Sequence, residues 1–490
     1  MAILTLEEVA ASMRRLRLHL LVPIVVVFLF DWCHVVPYGE VSVTYYDELA
    51  DAFLAGRFDL LRPPPDGLLA LPDPWDPVTN RPFHRPQEKL PGQRFIGVHD
   101  LSLYKGRFYL QWGPFPALVL IPLRWIAGGD LPMGYFVLII ETVAALAYAA
   151  ATLILARLAR LPTTRTMECL ILTAFLVNPL WQSTLHRVAV YETGVFFAQL
   201  CLGLAFLCVT LAFDRRLATG SDNPALLAAG SACLGLMVNC RPNLAPLGLM
   251  VPLLLWAWAR AGRMPPAWRP MIGSSLALGA PAAILLTAYL LYNQARFGNP
   301  FETGQSWQLW TGQESIRLSN FIFLQPARIL PNIWYYFMAP VEFGQQYSLL
   351  IGAPRLSPQN WLPPGLAALY GPYINRTAGL FVVAPVAALA LGVPFLLLRK
   401  LADRSRPALL LLLAAALLSG LLLLAPAVMR YAAEWAPWWL AAGALMALRV
   451  SADLRAGNRR RPALLFDATL MLTTAWSCWV GAALLCSPSN

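Results

Sequence analysis

Two kinds of side chain stand where they could do chemistry. The first is a group of carboxylates in one polar stretch. In TYYDELADAFLAGRFDL (44–60), Asp47, Glu48 and Asp51 follow Tyr46, Glu40 lies just upstream, and His99 and Asp100 stand at the other end of the stretch. A carboxylate in such a place can take the proton of an attacking hydroxyl. The second is a set of cations: Arg187, Arg241 and Arg430, each at the end of an apolar run, with Lys105 and Arg107 just before another. Guanidiniums offer planar paired donors that suit a phosphate in a way lysine does not copy. A base beside a phosphate clamp is equipment for displacing a phosphate leaving group.

The elements that position these residues are membrane helices. Of 490 residues, 58% are hydrophobic and only 13% charged, and apolar runs of about twenty residues, the length that crosses a bilayer core, recur along the chain. The composition therefore predicts an all-α polytopic membrane protein and excludes a water-soluble globule. About eleven spans are expected: 18–37, 133–157, 166–185, 190–213, 224–240, 244–260, 270–293, 379–399, 407–427, 433–448 and 463–485. With residues 1–17 cytoplasmic, the arginine-rich loops 157–165, 215–216, 260–269, 399–406 and 449–461 all fall on the cytoplasmic side, as the positive-inside bias requires. The net charge of +11 is thus topological and calls for no nucleic acid. PFPALVLIPLRWIAGG (114–129) is short and opens with two prolines. It reads as a juxtamembrane or re-entrant helix, with a twelve-span alternative if it crosses. The eight cysteines contain no C-x-x-C pair and read as small buried hydrophobes.

This topology places two long stretches on the outer face, 38–132 between the first two spans and 294–378 after the seventh span. Long ordered loops usually carry function. At 100° per residue, Tyr46, Leu49, Ala50 and Phe53 share one side of a helix and Asp47, Glu48 and Asp51 the other, so the segment is expected to lie on the membrane surface, its acids either a solvated face or a catalytic one. Arginine is unexpected in short outer turns. Arg187, Arg241 and Arg430 either bind a local anion or pair with nearby acids such as Glu192 and Glu434. At the outer edge they are expected to add little to a core. Trp307, Trp310, Trp334 and Tyr335 either stack on sugar faces or anchor the protein at the interface. Asp31, Glu141 and Glu168 are expected near span ends, where a charge costs little. No G-x-G-x-x-G or P-loop is present, so no nucleotide site is implied. An outer-face base with a phosphate clamp at the membrane edge points to glycosyl transfer from a polyprenyl-phosphate sugar.

YDELADAFLAGRFDL (46–60), GPFPALVLIPLRWIAGG (113–129) and RYAAEWAP (430–437) resemble elements of the GT-C superfamily of membrane glycosyltransferases, in the branch of protein O-mannosyltransferases and aminoarabinose–lipid A transferases. The resemblance implies a seven-helix module over 18–293, further helices over 379–490, an inverting reaction, a lipid-linked donor and a periplasmic active site. Ser42 and Val43 stand where the family has its catalytic Asp-Glu, which leaves Glu40, Asp47 and Asp100 as candidate bases. The family's lysine before its proline helix is absent, with Lys105 and Arg107 nearest. Arg187, Arg241 and Arg430 are the expected partners of the lipid phosphate; Tyr46, His99, Glu192, Trp307, Trp310 and Tyr431 are expected to contact sugar or acceptor. The expected partners are a polyprenyl-phosphate-linked sugar, a glycan, lipid or protein acceptor, and membrane lipids. No cofactor is required, although the first loop has carboxylates enough for a divalent metal. The Ala- and Arg-rich composition suggests a bacterial cytoplasmic membrane. A transporter or flippase of lipid-linked glycans, and a non-catalytic relative, are the alternatives.

Overall fold

The computed structural model describes residues 18–39, 45–84, 97–129, 131–186, 188, 190–249, 268–309, 326–344, 353–356, 378–394 and 429–486. The chain opens with α1 (Leu21–Gly39) and α2 (Tyr45–Leu54). A hairpin of β1 (Leu101–Tyr104) and β2 (Arg107–Leu110) leads into α3 (Phe115–Ala127). Next come α4 (Met133–Leu158), α5 (Arg165–Leu176), α6 (Pro179–Leu185), α7 (Val190–Thr219), α8 (Pro224–Val238) and α9 (Trp268–Phe297). A second hairpin, β3 (Val341–Gly344) with β4 (Ala353–Leu356), precedes α10 (Met429–Ala456) and α11 (Arg460–Leu485). Among the described residues four helices are long and apolar enough to cross a membrane: α4, α7, α9 from Ile272, and α11. α7 packs on α4 and α8, and α8 on α9.

Three expected spans differ in their described parts, and each carries a proline there. Segment 166–185 is two helices. Pro179 has no N–H to continue α5, and the Asn178 side chain accepts from Leu180 N to start α6. The described part of 379–399 is one turn, Leu380–Val383, followed after Ala384 by 3-10 turns from Pro385 to Gly392. The expected span 244–260 opens as 3-10 turns, Pro242–Leu249; its remainder and 407–427 lie outside the described residues. α3 has 13 residues and ends at Gly128 in the left-handed conformation, φ 73°. At 1.5 Å per residue it is about 20 Å long, short of a bilayer core of about 30 Å.

The two hairpins depart from an all-α chain. Leu101 pairs with Leu110 and Tyr104 with Arg107, so Lys105 and Gly106 form a two-residue turn with φ of 49° and 72°. Positive φ at both positions is what a tight hairpin of this twist needs. β1 then draws the two long loops together. Ser102 bridges Gln308, and its hydroxyl donates to Gly304 O at 2.7 Å. Trp75 Nε1 donates to Trp307 O at 3.1 Å, and Tyr104 packs on Phe297 and Trp307.

Candidate functional site

α2 buries Tyr45, Tyr46, Leu49, Ala50 and Ala52, as its pattern predicts. Its acidic side differs from a solvated face. Arg62 Nε reaches Glu48 Oε2 at 3.3 Å, and Arg124 Nη1 of α3 donates to Asp51 Oδ1 at 2.8 Å and to the backbone O of Asp47 at 3.3 Å. Arginines thus fasten α2 to its surroundings on the side opposite its apolar stripe. Burial pushes the Glu48 carboxyl above its ordinary range, with Arg62 opposing. Tyr45 Oη donates to His99 O at 2.7 Å, tying α2 to the base of the first hairpin.

Tyr46 is fully buried and points towards Arg241. A Cβ on Gly194 would stand 3.1 Å from Tyr46 Oη and 3.4 Å from Arg241 Cδ, so both side chains crowd the first turns of α7. The chain at Gly113 presses equally hard on the turn that carries Arg241: an added Cβ would lie 2.0 Å from Asn239 O. Phe115 N donates to that same carbonyl at 3.0 Å. The close approach brings the Trp112 ring to 5.0 Å from the Arg241 guanidinium, and Tyr431 lies 5.9 Å from it.

Arg241 is 1% exposed. Its Nη2 and Nε meet Glu434 Oε1 at 2.5 and 2.7 Å, and Asn243 Nδ2 donates to Glu434 Oε2 at 3.0 Å. Glu434 stands in a turn of α10 that lacks one helix hydrogen bond. Pro437 lacks the N–H that Ala433 O would accept inside a helix; Trp181 Nε1 of α6 supplies it instead at 2.9 Å. Gln199 Nε2 of α7 donates to Glu434 O at 2.9 Å. With Glu434 satisfied, three buried groups able to donate have no hydrogen-bond partner among the described residues: Arg241 Nη1, Tyr46 Oη and Trp112 Nε1. Burial raises the Tyr46 hydroxyl well above the ordinary tyrosine range, so it keeps its proton. Unmet donors on a buried cation and its neighbours make a place suited to an anion.

The other expected residues fall as follows. Asp47 is in the first turn of α2, next to Tyr46. Glu192 is in the first turn of α7, next to Tyr191, whose ring lies 4.6 Å from Trp112. Asp100 is 2% exposed and bonded to Gln308 Nε2 at 2.7 Å and His99 Nε2 at 3.2 Å, so it joins the two loops. Lys105 is exposed at the hairpin turn over Tyr104, and Arg107 lies beside Asp59 at 3.7 Å, an acid also held by Arg57. Neither cation is among the groups that surround Arg241. Trp307 is packed by Trp75 and Tyr104. Arg430 opens α10, with only its backbone described; Glu40, Arg187 and Trp310 lie outside the described residues. The structure thus brings together Tyr46, Arg241 and Tyr431 of the expected set. It corrects the expectation that an outer-edge arginine adds little to a core, because Arg241 is among the largest fully buried side chains. Trp112 and Asn243 were not legible as site residues. Trp112 stands before Gly113-Pro114, a pair that permits close backbone approach and starts α3, and that is the signal that could have found it. Among the described residues no three His, Cys, Asp or Glu side chains gather as metal ligands.

No family model and no curated protein matches the chain. Three solved structures from Archaeoglobus fulgidus do. The apo crystal structure of its oligosaccharyltransferase matches at 13% identity and TM-score 0.48, over 95% of this chain and 56% of that one. The archaeal oligosaccharyltransferase AglB in complex with an inhibitory peptide and a dolichol-phosphate matches at 13% identity and TM-score 0.46, over 95% and 55%. The enzyme tethered to an acceptor peptide through a disulfide matches at 12% identity and TM-score 0.42, over 96% and 56%. The chain spans little more than half the length of these proteins.

Proposed function

We propose that the chain is an inverting glycosyltransferase that moves a sugar from a polyprenyl-phosphate donor to a cell-envelope acceptor, at the periplasmic face of a bacterial cytoplasmic membrane. One observation carries the reading: Arg241 Nη1, Tyr46 Oη and Trp112 Nε1 are buried, able to donate and without a partner among the described residues. They sit beside α2, whose first turn carries Asp47 and Glu48. Donors preorganised where negative charge develops, in a site that excludes water, are the usual source of transition-state stabilisation.

In the proposed reaction a carboxylate of the first outer loop takes the proton of the acceptor hydroxyl. Asp47 is the described candidate, with Glu40, six residues before Tyr46 in sequence, the other. The acceptor oxygen attacks the anomeric carbon from the face opposite the phosphate. As that bond forms, the bond from carbon to phosphate oxygen breaks, its electron pair leaves with the lipid phosphate, and the anomeric configuration inverts. Arg241, Tyr46 and Trp112 would hold the departing phosphate. Asp100, bonded on both carboxylate oxygens, would instead hold the two loops together.

The experiment is release of polyprenyl phosphate from polyprenyl-phosphate sugars by the purified protein, over a panel of donors and acceptors. Wild type is expected to turn over, and Asp47→Asn or Glu40→Gln to lose about 100-fold or more. Full activity in both variants removes the proposed base. A wild type that releases nothing while moving lipid-linked glycans across vesicles supports the transporter reading, which the acids Asp31 and Glu141 inside apolar helices favour.

A further inference from the structure

One face of α9 carries a set of buried donors other than those around Arg241. Tyr289, Tyr292, Asn293 and Arg296 follow the i, i+3, i+4, i+7 spacing of a single helix face, and Tyr289, Tyr292 and Arg296 are 3%, 9% and 3% exposed. Arg296 Nη1 donates to Leu110 O at 2.5 Å, and Nη2 to Asn293 Oδ1 at 2.6 Å. Its guanidinium carbon lies 3.9 Å from the centre of the Tyr292 ring and 4.7 Å from that of Phe297. The two hydrogen bonds use two of the five N–H groups that an arginine carries.

Two features leave this set incomplete. Arg296 Nε, Tyr292 Oη and Tyr289 Oη have no hydrogen-bond partner among the described residues. Arg296 also lacks what Arg241 has in Glu434, because no carboxylate among the described residues pairs with it. Two acids of the adjoining loops are engaged elsewhere: Glu302 Oε1 accepts from Gly304 N at 2.7 Å and from Ser306 N at 3.4 Å, and Asp59 is held by Arg57 and Arg107. The carbonyl end of α9 supplies at most about half a negative charge, and ring faces attract a cation more weakly than burial penalises it. A buried cation with donors left open calls for an oxyanion.

We infer that Tyr289, Tyr292 and Arg296 bind the phosphate head group of a membrane lipid at the end of α9. Position selects the source. From Ile272 to Phe297 α9 has 26 residues, about 39 Å at 1.5 Å per residue against a bilayer core of about 30 Å. Arg296, in the last turn, therefore stands at the level of lipid phosphates. The rim of the site is apolar. The Tyr292 ring meets Phe53 and Phe58 edge-on, with ring centres 6.1 and 5.4 Å away. Phe58 and Leu54, which follows Phe53, are 44% and 68% exposed, a surface suited to acyl chains. The open guanidinium donors suit phosphate oxygens, and the tyrosines add hydroxyl donors. None of these residues is among those assigned to the departing phosphate, and the inference is independent of the glycosyl-transfer reading.

The test is equilibrium binding of dihexanoyl phosphatidate to the purified full chain in a neutral detergent. Two further probes divide its parts: dihexanoylglycerol has the chains without the phosphate, and inorganic phosphate lacks the chains. The wild type is expected to bind the phosphatidate at least about tenfold more tightly than either. Tyr292→Phe, which keeps the ring and loses no hydrogen bond among the described residues, should weaken that binding about tenfold, and Arg296→Gln about 100-fold. A wild type that does not bind the phosphatidate overturns the proposal. Equal binding of dihexanoylglycerol removes the phosphate from it, and equal binding of inorganic phosphate removes the lipid; either result overturns it. Unchanged affinity in a folded Tyr292→Phe protein overturns it as well, whether or not Arg296→Gln folds.

Discussion

The molecule holds its arginine–carboxylate pairs in two ways. Arg241 and Glu434 have side chains 1% and 0% exposed, whereas Arg124 and Asp51 are 20% and 46% exposed. Both pairs join elements far apart in sequence and both meet at hydrogen-bond distance, yet they differ in consequence. At Arg124 and Asp51 water can replace either partner. At Arg241 and Glu434 burial excludes it, and the same dry surroundings leave Arg241 Nη1 and Tyr46 Oη unmet among the described residues. Distance and sign describe the two pairs equally; burial separates a fastening from a site.

The sharpest way to break the comparison is to remove one member of each pair. Arg241→Ala strands a buried carboxylate and is expected to cost about 3–5 kcal/mol in thermal or denaturant unfolding, while Arg241→Met with Glu434→Leu, which leaves no charge behind, should recover most of it. Trp181→Phe comes next. It removes the donor to the carbonyl that Pro437 frees, at a cost of about 1–3 kcal/mol, and lowers activity by loosening the turn that carries Glu434. A smaller effect is expected from pH. Burial, together with the neighbouring His99, pulls His84 down to about 4 from an ordinary 6.5. Between those values the unfolded chain binds a proton that the folded chain refuses, so stability falls as pH drops from 6.5 to 4 and that contribution levels off below 4. His84→Gln should flatten this part of an unfolding profile. Asp51→Ala, at the exposed pair, should change stability by less than about 1 kcal/mol. If Asp51→Ala and Arg241→Ala cost the same, burial is not what distinguishes the two pairs.

The parts legible in the sequence were those set by local periodicity. Long apolar runs mark α4, α7, α9 and α11, and the 3.6-residue pattern marks α2 and its buried face. The break before Pro179 was present as Asn178-Pro179 and was outweighed by the apolar run around it. The first hairpin is likewise written there, as Lys105-Gly106 between alternating residues. What periodicity could not supply was contact at long range. Glu434 was one possible partner of Arg241 and a bound anion the other, and no local pattern decides between residues 193 apart. The structure answers with both features in one place, a saturated Glu434 and a donor left over. Asp100 shows the converse: a carboxylate placed well in sequence for catalysis is 2% exposed and used to bind Gln308.

The central claim is that the buried donors around Arg241 hold a lipid phosphate. Tyr46→Phe removes one such donor and no hydrogen bond among the described residues. The measurement is release of polyprenyl phosphate by Tyr46→Phe beside its unfolding temperature. The prediction is an unchanged or slightly raised unfolding temperature with turnover reduced about 100-fold, as for loss of a transition-state donor. Turnover equal to wild type in a stable Tyr46→Phe protein would contradict the account.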